Sequence, residues 1–329
     1  MKVLYIGGTG NISSASSRLA VRMGIDLYHL NRGKTNNTIE GVKSLVADHS
    51  NIESVKKAVE GHTWDVIVNW VAFTPADVQR DFEVFHNKTS QYIFISSASA
   101  YQKPGGHPVI TESTPLYNPY WDYSRDKIDC EEYLNQKFRE AGFPITIVRP
   151  SLTYERVIPV ALGSWDDFTI IERIRRGKEV IIHGDGTSLW TITHSEDFAK
   201  GFNGLLGHQQ AIGHSFHITS DEILNWNQIY EAVAFAAGAP LKAVHIPSDF
   251  IGSFEPFHIG NLLGDKAQSV IFDNSKIKRF VPGFQATISF KEGIQRTVKW
   301  FESEPGRARI DEGNNAFLDK VIAAYQSKK

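Results

Sequence analysis

The chain has 329 residues, of which 41% are hydrophobic and 22% are charged, and its net charge is −2 at pH 7. These values are typical of a globular protein with a sizeable core. The small net charge and the lack of a basic block argue against binding to nucleic acid or to an anionic membrane surface. The single cysteine excludes an intramolecular disulfide and a metal cluster built from cysteines.

The first half of the chain alternates strands and helices. We predict strands at residues 2–6, 27–30, 42–46, 65–71, 92–95 and 145–148, and helices at residues 12–23, 52–59, 76–85 and 122–141. This alternation indicates a parallel sheet with helices on both faces. The predicted fold class is therefore α/β, with a doubly wound Rossmann sheet, and we expect residues 1–150 to form a dinucleotide-binding domain.

The second half is less regular. We predict helices at residues 168–176, 195–206, 226–237 and 290–302, and short strands at 180–183, 189–193 and 244–246. We expect residues 151–329 to form a smaller, irregular α/β lobe that binds the substrate, with some exchange of chain between the two parts. The N-terminus opens with a strand instead of a signal peptide, and no apolar run reaches membrane-spanning length, so we expect a cytoplasmic location.

A glycine turn, Gly7-Gly8-Thr9-Gly10, follows the first strand and leads into the first helix. Gly7 permits a sharp exit from the strand, and Gly10 lets backbone N–H groups approach a pyrophosphate at the N-terminus of the helix. The turn therefore predicts a dinucleotide cofactor.

Tyr123 and Lys127 are four residues apart in the predicted helix 122–141, so they share one face of it. A tyrosine with a pKa of about 10 exchanges protons poorly at neutral pH, and a nearby fixed positive charge lowers that pKa. The pair suits acid–base catalysis, although such pairs are also common on helix surfaces.

Three motifs together resemble the short-chain dehydrogenase/reductase superfamily, in its extended branch of NAD-dependent epimerases and dehydratases. They are GGTGNI at residues 7–12, ISSASAY at 95–101 and YSRDK at 123–127. Arg149-Pro150, the turn Gly184-Asp185-Gly186, and residues 273–279 with 290–301 extend the resemblance over essentially the whole chain. It implies reversible hydride transfer at an alcohol or keto carbon of a sugar, polyol or related small metabolite, by a reductase/dehydrogenase or an epimerase.

The resemblance also implies the site residues. Ser97 would donate a hydrogen bond to the substrate oxygen, Tyr123 would exchange the proton, and Lys127 would hold the ribose and keep the phenol acidic. The expected cofactor contacts are Gly7, Thr9, Gly10, Asn11, Ile12, Asn31, Arg32, Asp48, Ala72, Tyr123, Lys127 and Pro150. The expected substrate contacts are Ser97, Ser99 and Trp190. The scattered histidines lack the spacing of metal ligands, so we expect no metal site.

Departures from the family pattern reduce the number of cofactors and substrate classes that we expect. Asn31-Arg32 stands where NAD-using members carry an acidic residue, and an arginine can pair with a 2′-phosphate, so we expect NADP, with NAD as the alternative. Ala98 and Ser99 replace the acidic pair of sugar-nucleotide 4,6-dehydratases. Trp190 lies about where nucleotide-sugar enzymes carry an arginine that binds the diphosphate. A nucleotide-sugar epimerase therefore remains only an alternative.

An RNA-binding protein is the other alternative, because residues 91–103 resemble the chloroplast stem-loop-binding members of the superfamily. The retained Ser97, Tyr123 and Lys127, together with the net charge of −2, rank this alternative below catalysis, and no nucleic-acid partner is expected. The resemblance further implies a possible homodimer through the helices 76–85 and 122–141.

Overall fold

The computed structural model describes residues 1–34, 38–163 and 165–328. In this part of the chain the strands are β1 Lys2–Ile6, β2 Asp26–Asn31, β3 Lys43–Val46, β4 Val66–Asn69, β5 Tyr92–Ile95, β6 Val109–Ile110, β7 Ile145–Pro150, β8 Leu152–Tyr154, β9 Val180–His183, β10 Leu189–Trp190, β11 Ile192–His194, β12 Ser215–Ile218, β13 Leu224–Asn225, β14 Ala243–Ile246 and β15 Ile271–Phe272. The α-helices are α1 Ser13–Arg22, α2 Ile52–Ala58, α3 Pro75–Phe85, α4 Asp122–Ala141, α5 Thr169–Arg175, α6 Ser195–Asn203, α7 Trp226–Ala237, α8 Ser248–Gly252, α9 Ser275–Phe280, α10 Phe290–Glu302 and α11 Glu312–Gln326. A π-helical segment spans Ile259–Lys266.

Seven parallel strands form the central sheet, in the order β12-β7-β5-β4-β1-β2-β3. Side chains alternate along β1. Val3 and Tyr5 pack with α1 and α6 on one face, whereas Leu4 and Ile6 pack with α2, α3 and α4 on the other. Because both faces are buried, the sequences of these strands are nearly continuous apolar runs. The predicted doubly wound α/β fold is confirmed.

The seventh strand, β12, comes from the second half of the chain and was not among the predicted strands. It pairs with β7, and Phe216 lies opposite Val148. Its four residues, SFHI, are too few to show a periodic pattern in the sequence. They form a strand because they pair with β7. The division at residue 150 stays a prediction. Strand β12 belongs to the second half of the chain but joins the sheet formed by the first half.

The remaining strands pair two by two in the second lobe, around a separate hydrophobic core that includes Trp226, Tyr230 and Phe301. The single strand predicted at 189–193 is wrong, because the structure divides it. β10 pairs antiparallel with β13, and β11 pairs parallel with β8. The helices α8, α9 and α11 were not predicted either. The assignment of residues 151–329 to a substrate-binding lobe stays a prediction.

The order of the sheet reverses between β1 and β4. The chain runs outward from β1 to β2 and β3, and then returns to the other side of β1 as β4. Ligands of open α/β sheets bind at such a reversal, outside the carboxyl ends of the strands. The glycine turn after β1 and Ser97 after β5 both lie at this edge.

Candidate active site

The glycine turn has a shape that larger residues cannot adopt. Gly7 and Gly8 have φ angles of +92° and +111°, and a Cβ on Gly8 would lie 2.5 Å from the His29 ring. The Ser17 hydroxyl fixes this arrangement, because it donates to the Gly8 carbonyl and contacts His29 Nε2 at 2.9 Å. Helix α1 begins without a side-chain cap. Two N–H groups here are bonded within the turn, since Gly10 donates to the Ser13 hydroxyl at 2.9 Å and Ser14 donates to the Gly10 carbonyl at 3.0 Å. The positive end of the helix dipole still favours a phosphate at this turn, as a dinucleotide requires.

A cavity of about 530 Å³ extends from this turn to the second lobe. It brings together nine of the residues predicted from the sequence: Gly10, Asn11, Ile12, Ser97, Ser99, Tyr123, Lys127, Pro150 and Trp190. The cavity also exposes side chains that the sequence did not single out as site residues, among them Lys103, Trp121, Trp165, Asn261, Asp265 and Lys266. Its volume suits a small molecule together with part of a cofactor.

A chain of hydroxyl groups leads to Tyr123. Ser97 lies close enough to the Tyr123 phenol to lower its pKa. The Ser97 hydroxyl lies 2.9 Å from that of Ser99, to which the Ser124 hydroxyl donates at 2.7 Å. Burial raises the pKa of Tyr123 more than Ser97 lowers it. Ser124, which follows Tyr123 directly, is a member of this chain that the motif did not indicate.

Lys127 lies one helical turn from Tyr123 and is 2% exposed. Its Nζ donates to the carbonyl oxygens of Ala72 at 2.6 Å and Ile95 at 2.8 Å, and lies 5.8 Å from the centre of the Tyr123 ring. Burial lowers the pKa of Lys127 to about 8. Burial dominates the pKa of both groups, and the acidifying effect of Lys127 on the phenol stays a prediction.

A buried ion pair anchors α4 to the sheet below these residues. Glu131, one turn beyond Lys127, accepts hydrogen bonds from Arg149 at 2.9 and 2.6 Å and from the Ser96 hydroxyl at 2.5 Å. Burial by itself would lower the pKa of Arg149, but the bond to Glu131 outweighs it and the pKa is raised. The pair joins α4, β5 and β7, the three elements that position Ser97, Tyr123 and Lys127.

The predicted contacts to the adenosine end lie outside this cavity. Arg32 and Asp48 are exposed beyond the carboxyl ends of β2 and β3. The pKa of Asp48 is lowered first by the hydroxyl and N–H of Ser50, and also by the charge of Arg32. The Asn31 amide faces the carbonyls of Leu30 and Gly7. Thr9 lines a second cavity beside α1.

Asn11 connects the glycine turn to the second lobe. Its amide donates to the Thr153 carbonyl at 2.8 Å and accepts from the N–H groups of Glu155 and Arg156 at 3.0 and 3.2 Å. An ion pair between Arg18 and Glu155 lies alongside. The Asn11 side chain thus makes three hydrogen bonds to protein backbone, so we expect a cofactor to meet mainly the main chain of Asn11.

A parallel sheet with a glycine turn after β1, and a Tyr–Lys pair facing a cavity at its carboxyl edge, defines a Rossmann-fold enzyme of the short-chain dehydrogenase/reductase type. The sequence model of the NAD dependent epimerase/dehydratase family matches residues 3–219. The chain belongs to this family, as its motifs indicated, and it is an NAD(P)-dependent oxidoreductase or epimerase.

Individual relatives are distant. The chain is 22% identical to 2′-dehydrokanamycin reductase of Streptomyces kanamyceticus, over 87% of this chain and 80% of that protein. It is 24% identical to chloroplast stem-loop binding protein of 41 kDa b of Arabidopsis thaliana, over 73% of this chain and 64% of that protein. The structure resembles dTDP-glucose 4,6-dehydratase of Bacillus anthracis in complex with NAD, with a TM-score of 0.72, 17% identity, and coverage of 92% of this chain and 97% of that chain.

The family and the glycine turn together make the cofactor a nicotinamide dinucleotide. Within the described residues, no helix combines the length and apolar character needed to cross a membrane.

Proposed function

We propose that the protein transfers a hydride between NADP and an alcohol or keto carbon of a sugar, polyol or related small metabolite. One observation carries this proposal. Ser97, Tyr123 and Lys127 line one cavity that reaches the glycine turn, and Lys127 Nζ lies 5.8 Å from the centre of the Tyr123 ring. A proton carrier, a hydrogen-bond donor and a cation are thus grouped where the sheet would receive the nicotinamide.

Each side chain has one role in this proposal. Ser97 donates a hydrogen bond to the substrate oxygen, and Tyr123 exchanges a proton with that oxygen. Lys127 provides positive charge beside the phenol and a donor for the ribose hydroxyls. When bound, the nicotinamide supplies or accepts the hydride at the neighbouring carbon. The chain from Ser97 through Ser99 to Ser124 holds the Ser97 hydroxyl in place.

We favour the reductive direction over epimerisation, because one relative is named as a reductase of a dehydro compound. An epimerase would retain its nucleotide through the catalytic cycle, so nucleotide released on denaturing the freshly purified protein would favour the epimerase instead.

NADP is proposed over NAD because of Arg32. Arg32 is exposed beyond β2, at the position where NAD-using members of the family carry an acidic residue. A guanidinium pairs with a phosphate through two parallel hydrogen bonds, whereas an acidic residue here would repel a 2′-phosphate.

We also propose a homodimer through the outer faces of α3 and α4, which light scattering on the purified protein would test.

Substitution of Tyr123 tests the catalytic assignment. In Tyr123→Phe we expect turnover to fall by about 10²–10⁴-fold, while the dissociation constant for NADPH changes only a few-fold, because only the proton carrier is lost. The assay is NADPH oxidation across a panel of carbonyl compounds and keto sugars. Tyr133→Phe, on the same helix but outside the cavity, is the matched control. Full activity in Tyr123→Phe would refute the assignment.

RNA binding is the second candidate, because one relative is named a stem-loop binding protein. A salt-dependent shift of a stem-loop RNA, with no NADPH oxidation on the whole panel, would favour this function over catalysis.

A further inference from the structure

Two lysines that no motif indicated lie in the wall of the cavity. Lys103 and Lys266 are each 2% exposed, and both line the cavity among Trp121, Trp165 and Trp190. Lysine is rarely this deeply buried, because its ammonium loses hydration unless a partner replaces it. Two buried ammonium groups in an aromatic wall therefore need an explanation.

Lys103 has no protein partner that balances its charge. Among the described residues, no hydrogen-bond acceptor or carboxylate lies within bonding distance of its Nζ, which instead lies 5.9 Å from the centre of the Trp190 ring. Burial lowers the pKa of Lys103, whereas the charge of Asp265 raises it. A buried, unpaired ammonium is costly to the folded protein.

The Lys266 ammonium group already has hydrogen-bond acceptors within the protein. Its Nζ donates to Asn261 Oδ1 at 2.6 Å and to Asp265 Oδ2 at 3.2 Å. The charge of Lys266 also lowers the pKa of Lys103, and both lysines line the same cavity. Asp265 balances one of the two positive charges, and the group as a whole keeps an excess of one positive charge inside the cavity.

This inference rests on the proposed function and names its substrate class. We propose that the substrate carries an acidic group, a carboxylate or a phosphate monoester, that binds Lys103 beside Lys266. The Asp265 carboxylate keeps Lys266 in place and leaves Lys103 as the free cation. The three tryptophans contact the apolar face of the molecule. A sugar acid or a sugar phosphate combines these properties with the hydroxyl groups that the proposed reaction needs.

The position of Trp190 agrees with this assignment. It occupies the place where an arginine would bind the diphosphate of a nucleotide sugar, so the positive charge of this cavity comes from Lys103 on another segment of the chain. The cavity of about 530 Å³ must also admit the nicotinamide end of the cofactor. A small acidic molecule fits the remaining space and the excess charge of the Lys103, Asp265 and Lys266 group.

Tryptophan fluorescence can report binding directly, because Trp121, Trp165 and Trp190 line the cavity. The NADP⁺-loaded protein is titrated with D-glucuronate, with glucose 6-phosphate and with neutral D-glucose. We expect at least one acid to bind about 30-fold or more tightly than glucose, and Lys103→Met to abolish this preference. Lys137→Met, a lysine outside the cavity, should retain it. Equal binding of glucose and both acids, or an undiminished preference in Lys103→Met, would overturn the proposal.

The stability of the ligand-free protein separates a binding role from a structural one. Lys103→Met removes an unpaired buried charge, so we expect a higher Tm without ligand, and the same direction for Lys103→Gln. A lower Tm in both variants would show that Lys103 supports the fold and would overturn the proposal. The binding assay needs no turnover. An acid preference together with a fully active Tyr123→Phe would therefore refute the catalytic assignment and leave this inference standing.

Discussion

Lys127 should make the stability of the protein depend on pH in the alkaline range. Its folded-state pKa is about 8, against 10.5 for an exposed lysine. The lysine is protonated in both states below pH 8, and the difference corresponds to a cost of about 3 kcal/mol to the folded state. Between those two pKa values the unfolded chain binds more protons, so stability rises with pH, and the cost is gone above the unfolded value.

Lys127→Met isolates this effect. The variant cannot titrate at this position, and it leaves the Ala72 and Ile95 carbonyls without a donor, at about 1–3 kcal/mol each and independently of pH. At neutral pH this loss roughly offsets the removal of the buried charge, so the two proteins should differ little. With rising pH the wild type should gain up to about 3 kcal/mol over the variant.

Urea unfolding, followed by circular dichroism at several pH values from about 7 to about 10, measures the difference. Lys137→Met is the control for the general effect of alkaline pH, because Lys137 pairs with Glu140 at the surface. If the wild type and Lys127→Met gained the same stability over this range, the burial argument for Lys127 would be refuted.

Two further substitutions test the cofactor choice and the anchoring ion pair. Arg32→Ala should weaken NADP about 10-fold or more and leave NAD unchanged, as measured by fluorescence titration, because a charge-assisted contact to the 2′-phosphate is lost. Equal or better NADP affinity would remove the reason to prefer it. Glu131→Gln should lower the free energy of unfolding by about 3–5 kcal/mol, since Arg149 stays buried without its counter-charge. Glu132→Gln, on the exposed side of α4, is the control, and a loss below about 1 kcal/mol would contradict the role of the pair.

The sheet could be predicted where local pattern and tertiary structure agree. The strand at 2–6, the glycine turn and the helix at 122–141 have strong local patterns, and the structure has the strand and the helix with the same bounds. The helix ends at Gly142, whose left-handed backbone stops it after Ala141. The position of Ser97 after the end of β5 was also predicted from the local sequence pattern.

The rest depended on contacts between distant parts of the chain. The residues at 189–193 form one apolar run, but their two ends pair with different strands, which no local pattern reveals. Lys103 has no periodic neighbour that would mark it as buried, and it meets Asp265 and Lys266 only after folding. For Tyr123 and Lys127, helical spacing predicted their proximity, whereas their pKa values depend on a burial that spacing does not give.

The bond between Asn11 and the second lobe has a consequence for how molecules reach the cavity. Three hydrogen bonds and the Arg18–Glu155 ion pair close the side next to the glycine turn. The cavity is lined elsewhere by Phe73 and Phe257, which are 49% and 62% exposed. We therefore expect molecules that enter on this side to lose water against apolar rings.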